Sequence, residues 1–308
     1  MVKYFFKRII QLIPVILGVT LIVFVIMQFA PGDPARLILG ELATQEQVEA
    51  LRQEMKLDDP IIVQYCRYVL NCLKGDFGTS YLKSRSVTSE IFARFPNTLK
   101  LAFVAVFMTV ILSVPLGIIA AVKQNTITDA IIMVISLIGI SMPVFWMGLL
   151  LIMQFSLKLG WLPTSGCDSL ASYILPGICL AFPNMSTVTR TTRSSMLETI
   201  RQDYVRTALA KGCSHKIAIY KHAFRNATIP SITVIGIQIG QLLGGSVLVE
   251  QVFAWPGLGR LMIESINNRD TPMVLGCVIL LTIFCSVLNL VIDMCYALVD
   301  PRIRSQYS

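Results

Sequence analysis

The sequence contains no Gly-Lys dipeptide, so it lacks the glycine-rich loop and lysine that cradle nucleotide phosphates, and this chain alone has no route to nucleotide hydrolysis. A Gly-x-Ser-x-Gly elbow and a His-Glu-x-x-His pair are missing too, which removes the signatures of serine hydrolases and zinc proteases. The two histidines, His215 and His222, stand in a basic segment without companion ligands; they read as solvated, and no metal site is expected. The eight cysteines form no Cys-x-x-Cys pair, so they read as small buried hydrophobes rather than as a framework of disulfides. Charge is scarce as well, at 14% of residues against 55% hydrophobic, far from the balance of soluble domains. No catalytic residue stands out, and an enzyme is not the reading that these absences support.

What is present is a set of long apolar runs. Uncharged intervals cover 9–32, 101–122, 130–157, 169–189, 226–249 and 271–292, each near the roughly 20 residues that cross a bilayer. The expected fold is an all-α polytopic membrane protein forming one domain over 1–308, with six transmembrane helices at about 9–30, 101–122, 130–157, 170–190, 229–250 and 272–294. The first run is longer than the core of a signal peptide and lacks a small-residue cleavage site, so it reads as a retained anchor. Lys3, Lys7, Arg8 and Lys123, the eight Lys/Arg against two Asp/Glu over 190–225, and Arg302 and Arg304 all fall on one side of a six-span chain. That side is expected to be the cytoplasm, with both termini inside. These inner loops carry the net charge of +8, which accounts for it without nucleic acid. The stretch 33–96 is nearly balanced, eight basic against nine acidic. Its apolar positions recur at helical spacing over 44–56 and 61–73, which predicts an extracytoplasmic helical cap.

Between the fourth and fifth runs lies a basic loop, about 191–228. It reads as two short helices joined at Gly212: Asp203 is placed to cap the first, Gly212 to take the left-handed position after it, and Ser214 to cap a second that runs to Pro230. Neither helix is apolar enough to enter lipid. Such an elbow is a handle for a soluble partner, or else a basic amphipathic helix lying on anionic lipid. Run 5 carries Gly236, Gly240 and Gly244 at spacing four, a stripe suited to close helix packing. Gln238, Gln241 and Gly245 fall on a separate stripe, which lines a path or bonds between helices. Run 6 places Asn289, Asp293 and Tyr296 on one face, with Asn289 assigned to the path. Pro143, Pro176 and Pro183 interrupt runs 3 and 4 and offer bends. Trp255 sits in a Pro-Gly turn at interfacial depth.

The elbow Thr207-Ala-Leu-Ala-Lys-Gly212, closing at Ile229-Pro230, resembles the loop of bacterial ABC importer permeases. Further segments carry the same resemblance: Pro31-Gly-Asp-Pro-Ala35, Ser141-Met-Pro-Val-Phe-Trp146, Val252-Phe-Ala-Trp-Pro-Gly-Leu-Gly-Arg260, Asn268-Arg-Asp-Thr-Pro272 and Asp300-Pro-Arg-Ile-Arg304. Together they resemble the dipeptide, oligopeptide and nickel permease family, first subunit of the pair, over essentially the whole chain. Arg206 and Thr207 depart from that family's Glu and first Ala, and Ile229 from its Leu. The resemblance implies a homologous second permease, two ABC ATPase subunits that bind ATP and Mg, and an external substrate-binding protein. It makes the elbow a cytoplasmic coupling helix in which Tyr204, Arg206, Thr207, Ala208, Lys211 and Gly212 meet the ATPase, and it places Asp76, Trp255 and Arg260 on the docking surface of the binding protein. Peptide is the leading cargo, with glutathione or a nickel chelate as alternatives. A self-contained secondary transporter is the rival class, but its internal repeat and mid-depth ionisable residues are not evident.

Overall fold

Pro34 opens a helix where its missing N–H costs nothing, and the Asp33 carboxylate caps it by accepting from the Ala35 N–H at 3.0 Å. Thr44 starts the next with a reciprocal pair: its hydroxyl accepts from the Gln47 N–H, and the Gln47 side chain accepts from the Thr44 N–H. The computed structural model describes residues 2–29, 33–40 and 42–299, with the backbone alone for 2–9, 241, 243, 293 and 295–299. In chain order the helices are α1 (Val2–Phe29), α2 (Pro34–Leu39), α3 (Gln45–Glu54), α4 (Ile61–Leu73), α5 (Val87–Val122), α6 (Ile127–Ser141), α7 (Val144–Leu151), α8 (Ile174–Ile200), α9 (Asp203–Ala210), α10 (His215–Ile217), α11 (Phe224–Val252), α12 (Leu258–Asn267) and α13 (Thr271–Val299). A π-helical stretch extends α7 over Ile152–Lys158, and another joins α10 to α11 over Ala218–Ala223. Among the described residues there is no strand, only an isolated bridge between Thr79 and Ser86.

The chain divides into two compact units. The first holds 1–98 and 256–287. Val87 and Ile91 of α5 pack against Leu258, Leu261, Met273 and Cys277, and a β-carbon on Gly276 would stand 2.5 Å from Val87 Cγ1, so α5 and α13 cross closely there. The Tyr65 hydroxyl of α4 donates to the Leu17 carbonyl of α1 at 2.7 Å. Asp270 accepts from the Ser80 hydroxyl and from the Tyr81 N–H, tying the loop before α5 to the start of α13. Burial, helped by the charge of Asp270, pushes the Tyr81 phenol up to about 12. The cap helices α3 and α4 stand as their apolar spacing predicts. Arg52 of α3 reaches both Asp33 and Asp58, and these bonds hold the guanidinium above its ordinary pKa.

The second unit holds 99–255 together with the end of α13 from 288. Its core gathers Leu101, Met147, Leu175, Leu180, Leu242, Val249, Phe253 and Trp255, each large side chain contributing about 1.5–3 kcal/mol by leaving water. α8 runs through this core. Small residues let neighbours approach it: a β-carbon on Gly117 of α5 would lie 2.6 Å from Thr192 Cβ, and one on Gly139 of α6 would lie 2.1 Å from Ser186 Oγ.

Two expectations about the spans change. Run 3 is no straight helix, because α6 and the α7 arm meet at 111° across the break at Met142 and Pro143. Pro143 disfavours helical backbone at the residue before it, and Met142 is accordingly extended at ψ 126°. The fourth run is longer than expected and more polar, since α8 continues to Ile200. Asn184 and Ser186 dilute its apolar first half and Arg190 follows in the second, and it is not among the helices apolar enough to cross a membrane. Of the described residues, three helices meet that test, or five if each bent pair is one span. The end motif 300–304, with Arg302 and Arg304, and Pro31 and Gly32 of the second motif lie outside the described residues.

Candidate coupling elbow and transport path

Gly212 takes φ +89°, the left-handed conformation that a residue without a β-carbon adopts freely. Around it the Cys213 N–H donates to the Ala208 carbonyl at 3.1 Å and the Gly212 N–H to the Leu209 carbonyl at 2.9 Å. This is a Schellman closure, and it satisfies the last carbonyls of α9. Ser214 then caps α10, accepting from the Ile217 N–H at 3.5 Å. Asp203 does not cap α9. Gln202 occupies the cap with extended backbone at ψ 149°, and Asp203 falls one residue inside, in the first turn, where its charge faces the positive end of the helix dipole. The second helix does not stop at Pro230 either: from His215 the chain is helical through to Val252, with Pro230 inside α11.

The elbow is seated on its own apolar side. Val205 is buried with Ile118 and Ala121 of α5, Met196 of α8, and Ala218, Ile219, Ala223 and Ala227 beyond the turn, and Ala208 is buried as well. Ala208 therefore faces inward, and the expectation that it meets a partner is corrected: spacing three from Val205 puts both on the inner stripe. Tyr204, Arg206, Thr207, Lys211 and Gly212 remain exposed. Leu209, Ile217 and Tyr220 join them as exposed apolar side chains that the sequence reading missed. Their signal was present in the spacing of 217 and 220, which matches one helical face. Arg206 and Lys211 have no ion-pair partner among the described residues.

On α11 the two expected stripes are not separate. Gly236 is buried. A β-carbon on Gly240 would stand 2.7 Å from Asn289 Oδ1, so the path candidate Asn289 is packed on the packing glycine. A β-carbon on Gly244 would face open space while one on Gly245 would meet Leu180 Cδ1 at 3.5 Å, the reverse of their expected roles. The helix bends by 60° between the arms His215–Gly240 and Gly244–Val252, which turns the two glycines away from a straight register. Gln238 is half-buried. The side chains of Gln241, Asp293 and Tyr296 lie outside the described residues.

Of the docking candidates, Asp76 is exposed and accepts from the Gly78 N–H at 2.8 Å in a turn of the first unit. Arg260 pairs with Glu264 at 2.7 Å on α12. Trp255 is fully buried, its ring edge-on to Tyr173 with centroids 4.6 Å apart. It fills the core of the second unit and presents no docking surface, nor an interfacial anchor. Among the described residues no three of His, Cys, Asp or Glu gather as metal ligands.

Comparison with known proteins places this geometry. Residues 113–305 match the family described as binding-protein-dependent transport system inner membrane component, and residues 1–102 match the N-terminal part described for the same membrane component. The chain belongs to this family. The permease is 45% identical over 304 residues to the glutathione transport system permease protein of Salmonella paratyphi A, covering 99% of each chain. The corresponding Escherichia coli K12 protein is 44% identical over the same length. Its fold is similar to solved structures titled as the inward facing methionine ABC transporter MetNI, with TM-score 0.57 and 19% identity over 68% of the permease and 96% of that chain. An amino acid ABC transporter solved with histidines gives TM-score 0.55 and 16% identity over 68% and 94% of the two chains. The permease is thus a multi-pass inner membrane subunit of an ABC importer, and such a subunit is a transport component rather than an enzyme.

Proposed function

We propose that the permease imports glutathione or a closely similar small peptide, delivered by an external binding protein, as one half of a path shared with a homologous second permease. The identity of 45% along 99% of both chains to a glutathione permease carries the choice of cargo; it moves the lead from peptides in general to this tripeptide. In this reading α1, α5, the α6–α7 arm, α8, α11 and α13 are the six spans, the cap 33–96 is outside, and both termini and the elbow are cytoplasmic. Two separate ATPase subunits bind ATP and Mg, and each grips one elbow of the permease pair. Here the outward residues Tyr204, Arg206, Thr207 and Lys211 form the seat, joined by Leu209, Ile217 and Tyr220. Closure of the ATPases moves the elbow, and the path turns from inward to outward facing. Gln238, Gln241 and Asn289 line that path, and Asp76 and Arg260 with the cap meet the binding protein.

The test is reconstitution of the permease with its gene neighbours in proteoliposomes, followed by uptake of labelled glutathione, a dipeptide and nickel. ATP-dependent glutathione uptake, displaced by excess unlabelled glutathione and not by nickel, is the expected result. Dipeptide uptake that glutathione does not displace would overturn the cargo, and uptake without ATP would overturn the coupling.

A further inference from the structure

Asp129 lies in the first turn of α6, 5% exposed, and meets Arg193 of α8 in a bidentate pair: Nε to Oδ1 and Nη2 to Oδ2, each 2.7 Å. Its Oδ2 also accepts from the Asn125 N–H at 3.1 Å, in a turn where Asn125 takes φ +62°. A second link joins the same turn to the end of α8, the Arg201 guanidinium donating to Gln124 Oε1 at 3.2 Å. The elbow begins immediately beyond: α8 ends at Ile200, α9 opens at Asp203, and Met196, between the two arginines, packs in one cluster with Val205. A carboxylate this buried is held charged by its partner, and only a guanidinium supplies both bonds in one plane. At the other end of α6, the Gly139 and Ser186 approach keeps the same two helices in contact, and beyond it the chain bends into α7.

We infer that the Asp129–Arg193 pair is a clasp that carries movement of the elbow from α8 into α6, so that the two helices turn as one body. Neither residue touches the elbow's exposed face; both are positioning residues. The inference rests on the elbow as the ATPase seat. Its consequence is specific: breaking the clasp separates transport from ATP hydrolysis rather than abolishing either the fold or the ATPase.

The experiment uses the complete complex with its ATPases and binding protein in proteoliposomes, and reads uptake and hydrolysis in the same vesicles with glutathione as the probe. Asp129→Asn is expected to leave complex yield and hydrolysis near wild type while uptake per ATP falls about fivefold, a modest coupling factor between sites. Asp129→Glu, which keeps the pair, is expected to restore the ratio. Arg193→Lys, with a point charge in place of the fork, is expected to fall between. A wild-type ratio in an intact Asp129→Asn complex overturns the clasp, as does a loss of uptake in proportion to yield. If Asp129→Asn does not assemble, a wild-type ratio in Arg193→Lys overturns it. Full ATPase co-purification by Arg206→Glu with Lys211→Glu would instead remove the elbow reading, and with it the route to the clasp.

Discussion

The cap at 33–96 and the elbow at 201–214 both contain short helices, yet they use charge in opposite ways. In the cap, Arg52 pairs with Asp33 and Asp58, Arg67 with Asp59, and Lys83 and Arg85 with Glu90. Basic and acidic side chains are nearly equal there, eight against nine, and four of the eight basic ones pair within the region. In the loop containing the elbow the ratio is eight to two, and the exposed Arg206 and Lys211 find no acid among the described residues. A surplus of one sign on a structured surface is complemented only from outside. The difference teaches that self-pairing marks a part that holds its own shape, while unpaired charge on a fixed frame marks a part that awaits a partner.

The sharpest way to break that contrast is to reverse the unpaired charges. Arg206→Glu with Lys211→Glu is expected to weaken ATPase retention on the order of a hundredfold, since like charges facing each other cost several kcal/mol; co-purified ATPase per permease is the measure. Next is the frame itself. A β-carbon at Gly212 would meet no neighbouring atom within 4 Å, so the cost of Gly212→Leu is set by the left-handed backbone, about 1–2 kcal/mol, and uptake is expected to drop about tenfold with membrane insertion intact. In the cap the effects are smaller and stay local. Thr44→Ala removes one half of the capping pair and is expected to cost about 1 kcal/mol, read as faster hydrogen exchange over 45–54. Arg52→Ala, whose side chain is partly exposed, is expected to cost about 0.5 kcal/mol and to leave ATPase retention unchanged. A large loss of ATPase in either cap variant would erase the distinction.

Local rules made much of this legible in the sequence. Gly212, Ser214 and the proline at 143 act within one or two turns, and the structure places each in its expected backbone role. Facing is another matter. Ala208 and Lys211 are three apart and equally compatible with one stripe, but Val205 and its cluster choose which side turns inward. Gly244 and Gly245 are neighbours whose roles are exchanged by a bend that no single residue announces. Trp255 in a Pro-Gly turn reads the same whether its ring meets an interface or a core, and only the approach of Tyr173 from a distant helix end decides. Asp129 and Arg193, 64 positions apart, gave no joint signal. Pairings of that separation come from the packing of α6 on α8, which periodicity does not encode.

The burial of Trp255 has an optical consequence. The chain has three tryptophans, and Trp146 and Trp161 are 48% and 68% exposed where Trp255 is fully enclosed. A soluble or lipid-borne quencher will strip the emission of the first two and leave a blue-shifted remainder from the third. The residual fluorescence is therefore a built-in gauge of the second unit's interior, one that follows each step of the transport cycle without an added label.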